Sequence, residues 1–115
     1  MRTVEEFTKI VEEENDKHNE KLLTLSPAKL IDCAWGIAKW QAIYDYMEGK
    51  VVPYLEEGES GFEEFLTLEV DNPITAIYDF EFYYDEAMWT TWDNLDDVVR
   101  EMFRAIKNQT TREDT

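Results

Sequence analysis

The sequence predicts a mainly α protein, a compact bundle of four to five helices. Apolar residues recur at helical spacing in several separate stretches, and residues suited to capping stand at the starts of those stretches. With 43% hydrophobic residues and sixteen aromatics, the 115-residue chain also has ample material for one packed core. That length is close to the commonest domain size, so residues 1–107 are expected to form one acidic helical domain and 108–115 a frayed tail.

Thr3, with Glu6 three residues on, forms a capping box, and Val4, Phe7, Ile10, Val11 and Leu22 mark one stripe of a first helix over residues 4–23. Its middle, EEENDKHNEK, is polar on nearly every side, so it is expected to run along the surface and to leave His18 in solvent. Ser26 and Pro27 read as cap and first residue of a second helix, continuing from Ala28 to a stop at Gly49. Its largely apolar circumference predicts a central, buried helix, with Cys33 as a buried thiol.

Pro53, Gly58 and Gly61 predict a loop or short extended piece in KVVPYLEEGESG. A capping box at Ser60 and Glu63 then opens a short helix ending near Glu69, and Asp71 or Asn72 precedes Pro73 as the next cap. From Ile74 to Tyr84 two readings compete. The cap favours helix, whereas the alternation ending in IYDFEFYY suits a strand that could pair with residues 50–55 in a short two-stranded β element. Leu95, Val98, Val99, Met102, Phe103 and Ile106 define the last helix, with Asp93 as its cap and Arg100, Arg104 and Lys107 towards its negative end.

Charge narrows the possible partners. The net charge is −16, beyond the roughly 2 to 8 charges that solubility calls for. Residues 51–99 hold fourteen acids and no Lys, Arg or His, so nearly the whole imbalance belongs to that stretch, together with ten of the sixteen aromatics. Such a surface disfavours nucleic acid and anionic membranes and suits a basic protein partner. No apolar run approaches the roughly 20 residues of a membrane span, and the acidic first residues do not suit a signal peptide, so a cytoplasmic protein is expected.

No catalytic or metal site and no cofactor is expected. Asp93, Asp96 and Asp97 lack the spacing of a calcium loop, GESG and WGIA are not phosphate loops, and Ser26 and Ser60 serve better as caps than as nucleophiles. The expectation is therefore a non-enzymatic protein whose acids form a partner-binding face: Glu56, Glu57, Glu59, Glu63, Glu64, Asp79, Glu81, Asp85 and Glu86. Carboxylates three or four positions apart on a helix can imitate a phosphate row, and interleaved aromatics can anchor an interface.

LSPAKLIDCAWGIAKWQAIYDYMEG and DNPITAIYDFEFYYDEA, the latter followed by LDDVVREM, resemble a family of small bacterial and phage proteins found around mobile elements. The resemblance implies a setting and supplies no catalytic residues. In size, charge and lack of catalytic motifs the chain is similar to small acidic anti-CRISPR and anti-restriction proteins. That similarity implies an inhibitor of a nucleic-acid-binding defence enzyme, a Cas9-type nuclease foremost, acting as a nucleic-acid mimic in a basic groove. The alternative is a protein-interaction module such as a small homodimeric adaptor or an antitoxin.

Overall fold

In the computed structural model, residues 1–59, 61–80 and 91–113 are described, with side chains to Asn108. Helices α1 (Val4–Leu23), α2 (Pro27–Asp32) and α3 (Ala34–Tyr46) are followed by a π-helical turn (Met47–Val51) and α4 (Val52–Glu56). Then come α5 (Glu64–Thr67), α6 (Pro73–Asp79) and α7 (Trp92–Glu113). The chain is a mainly helical bundle, with no strand among the described residues.

The Thr3 hydroxyl accepts the Glu6 N–H at 3.1 Å, as the capping box predicts, and Phe7 and Val11 are fully buried. The middle of α1 departs from expectation. Glu14 and Asn15 are buried there because each has a polar partner in another element. Asn15 accepts the Trp40 indole N–H at 3.1 Å. His18 is half-buried rather than solvent-facing, its ring stacked on Trp40 at 4.2 Å between centroids. Burial, followed by the nearby Lys21 ammonium, lowers its pKa.

The expected second helix is divided differently. Its first part, α2, is capped by Ser26 and Pro27 as expected, but buries no side chain, and Cys33 at the α2–α3 junction is exposed. Its far end does not stop at Gly49. The chain passes through a π-helical turn, in which the Val52 N–H reaches back to the Met47 carbonyl, and continues as α4 with Pro53 in its first turn. Proline cannot donate to the carbonyl four residues back and crowds it, and the wider π turn accommodates both defects. Residues 50–55 are consequently helical, which removes the β partner proposed for the aromatic run.

Gly49 lies close against an aromatic ring. A Cβ there would lie 2.7 Å from the Trp92 ring, and one at Gly36 would lie 2.6 Å from the Tyr78 hydroxyl. The stop is Gly58, at φ +74°, with Gly58 N–H bonded to the Leu55 carbonyl at 3.2 Å and Glu59 N–H to the Tyr54 carbonyl at 3.0 Å. Those two bonds make a Schellman motif.

Residues 73–79 are helical, resolving the described part of the competing run, while 81–84 lie outside the described residues. Helix α6 is held from both ends by charges on other helices. The Glu14 carboxylate accepts the N–H groups of Ile74 (2.8 Å) and Thr75 (2.9 Å) and the Thr75 hydroxyl (2.7 Å). At the other end, Lys39, only 2% exposed, donates to the Tyr78 carbonyl at 2.7 Å and lies over the Tyr78 ring. Burial lowers its ammonium to about 8, against the opposing pull of Asp79. Asn72 precedes Pro73 as predicted, but makes no side-chain capping bond.

Helix α7 begins at Trp92, with Thr91 rather than Asp93 accepting a first-turn N–H, that of Asn94 at 3.2 Å, and runs on past Lys107 to Glu113. Its Leu95, Val98, Val99, Met102 and Phe103 close the core, in the spacing expected, against Phe65, Ile74 and Ile77 among others. Tyr46 and Lys50 both bond the Asp96 carboxylate at 2.5 Å, tying α7 to the α3 rod.

Glu14→Ala is expected to cost about 3 kcal/mol, since it leaves the amide donors at the start of α6 without their charged acceptor. Lys39→Met, which takes a donor from the Tyr78 carbonyl but also removes a buried charge, is expected to cost about 1 kcal/mol. Urea denaturation followed by far-UV circular dichroism measures both, and the order of the two losses is the point at issue.

Candidate functional site

Folding brings the acid-rich stretch against cations from the rest of the chain. Arg2 pairs with Asp71 at 2.6 Å and Lys50 with Asp96 at 2.5 Å, while the N-terminal ammonium and Lys107 reach Glu69 and Glu64, each at 3.3 Å. Arg100 pairs more loosely with Asp97, at 3.6 Å. Arg2 also donates to the Val70 carbonyl. Charges separated along the sequence are thus partly recombined in space.

This recombination divides the expected contact residues. Glu56, Glu57 and Glu59 are exposed and have no cation within ion-pairing distance among the described residues. Glu63 is exposed, but its carboxylate accepts the Gly61 N–H at 2.8 Å, and that bond with its own backbone N–H lowers its pKa. Glu64 is half-buried and tied to Lys107. Asp79 is exposed at the end of α6, acting on Lys39. Glu81, Asp85 and Glu86 lie outside the described residues, as do Phe82, Tyr83, Tyr84, Trp89 and the Ser60 cap.

No single continuous acidic face emerges from the described members of the set. Around Gly61 and Glu64 the neighbouring surface is supplied by Arg100, Arg104 and Lys107 of α7. Glu56 instead borders a shallow groove with Val4, Glu5, Thr8, Lys9 and Glu12 of α1. Counting charge by sequence segment misses Glu5 and Glu12. Their seven-residue spacing, two turns of helix, was the available signal. The aromatics also divide: Phe62 and Phe65 are core residues, whereas Tyr54 is exposed. The two phenylalanines cannot anchor a partner.

The Schellman turn fixes the backbone of the acidic end. It sets Glu56, Glu57 and Glu59 at the C-terminus of the rod from α3 through α4, where the helix dipole is already negative. Acids there are unfavourable for the fold. A related strain appears more than two turns earlier, where Glu48 is half-buried with one carboxylate oxygen unpartnered among the described residues. Burial, followed by the charge of Glu12, raises its pKa, and a hydrogen bond from Tyr44 opposes the rise.

Among the described residues no group of three His, Cys, Asp or Glu is placed to hold a metal ion, and no helix is long and apolar enough to cross a membrane.

The raised Glu48 pKa fixes the sign of a pH effect. The unfolded chain releases this proton at lower pH than the folded one, so an ionised Glu48 opposes folding at neutral pH, and the penalty disappears as pH falls through both values. Glu48→Gln is therefore expected to raise the midpoint of thermal unfolding at pH 7 and to give a smaller gain at pH 4. Equal gains at both pH values would rule out carboxylate desolvation as the cause.

No family model, curated protein or solved structure matches this chain.

Proposed function

We propose that the protein is a non-enzymatic inhibitor that occupies the basic nucleic-acid-binding surface of a defence nuclease, Cas9-type foremost, with its acidic end. The observation that supports this reading is the trio Glu56, Glu57 and Glu59 at the negative end of a helix, exposed and without a paired cation among the described residues. Several other acids in the same stretch are neutralised internally, whereas these stand at a position where negative charge opposes folding. Glu5 and Glu12 extend the negative surface beside Glu56.

A groove lined by Arg and Lys to hold a duplex would attract such an end at long range, giving fast association that weakens with salt. No bond is made or broken in this mode of action. Inhibition follows from exclusion of the nucleic acid.

Reversing Glu56, Glu57 and Glu59 together to lysine should separate binding from folding. The triple variant is expected to unfold at higher temperature, since each replacement gains about 0.3–1 kcal/mol at a helix C-terminus. It is also expected to lose at least about tenfold in affinity for a basic nuclease, equivalent to about 1.4 kcal/mol. Fluorescence anisotropy of labelled DNA on a Cas9-type nuclease, titrated with wild type and variant at low salt, provides the readout. Undisturbed DNA binding in the presence of wild-type protein would count against the proposal.

A further inference from the structure

The opposite end of the rod has a different character. Leu23, Ile31 and Trp35 are 87%, 75% and 44% exposed, and α2 between them buries no side chain. The apolar residues from Leu22 to Ile37 all lie outside the main hydrophobic core, so the last turn of α1, α2 and the first turn of α3 form an apolar projection that no element among the described residues buries. Large apolar side chains exposed together within one short stretch of chain suit an association site.

Charge identifies the occupant. The chain carries −16 overall, yet residues 17–38 hold three lysines against only Glu20 and Asp32. Lys17, Lys21 and Lys29 are exposed there beside both acids. Two copies approaching through most other parts of the surface would bring surplus carboxylates together, whereas this end offers both signs around an apolar centre. A two-fold arrangement can set Lys21 or Lys29 of one copy against Glu20 or Asp32 of the other, and it closes at two copies. An anionic bilayer fits less well, because the same acids and the overall charge would oppose it.

We propose that the α2 end is a self-association surface through which two copies pair, with Leu23, Ile31 and Trp35 at the contact. This proposal is independent of the acidic-end reading, since the surfaces lie at opposite ends of the rod and either can fail alone.

Sedimentation equilibrium of the full chain up to about 100 µM would reveal a dimer with a Kd in the micromolar range, strengthened by added salt as repulsion is screened. Leu23→Asp and Ile31→Asp, both at exposed positions, are expected to keep the circular dichroism spectrum and to weaken the dimer at least about tenfold. Cys33, the only thiol, gives a readout that needs no interface variant: a short bis-maleimide should couple two wild-type chains, and Cys33→Ser should abolish coupling. A monomeric mass across the whole concentration range overturns the proposal. So does a dimer equally strong in both Asp variants, or a monomer that instead binds phosphatidylserine vesicles.

Discussion

Helix α6 could not stand alone, and the rest of the bundle is organised around it. Seven residues are too few for a stable isolated helix in water. Its stability comes from two buried charges on neighbouring helices: a carboxylate from α1 at its positive end and an ammonium from α3 at its negative end. Each ion replaces part of its lost hydration with backbone dipoles, an arrangement favoured by the helix field at both termini. The consequence is positional. With both ends fixed, Ile74 and Ile77 enter the core fully buried, and α1, α3 and α7 pack around them.

The same arrangement explains why the middle of α1 is so polar. Glu14 and Asn15 resemble surface residues in sequence because their partners, the first turn of α6 and the indole of Trp40, are distant along the chain. Periodicity reports which side of a helix is apolar. It is silent about a buried acid whose partners are backbone amides. The caps at Thr3 and Ser26, and the stripe from Leu95 to Phe103, were legible because the interactions that establish them are local or repeat at helical spacing. Gly49 and Pro53 do not end the helix that their conformational preferences would break. Gly49 provides clearance for Trp92, and the π turn makes room for Pro53.

The candidate site was legible to a similar degree and for related reasons. Segment counting located the acid-rich stretch, but ion pairing depends on three-dimensional neighbours. Arg2, Lys50 and Lys107 lie outside residues 51–99, yet they neutralise Asp71, Asp96 and Glu64 within them. Among the described residues, the unpaired acidity near α4 is confined to Glu56, Glu57 and Glu59 of that stretch. Glu5 and Glu12, which belong to another part of the chain, adjoin it.

The rod from Ala34 to Glu56 also sets a distance. At about 1.5 Å per residue it separates the apolar α2 end from the acidic turn by about 30 Å, in a molecule whose longest dimension is 46 Å. A small partner at one end therefore need not obstruct the other. Two chains joined at their α2 ends would carry two acidic tips on one particle. Against a target with paired or repeated basic grooves, the second engagement would then be governed by effective concentration, so that apparent affinity could greatly exceed that of either tip alone.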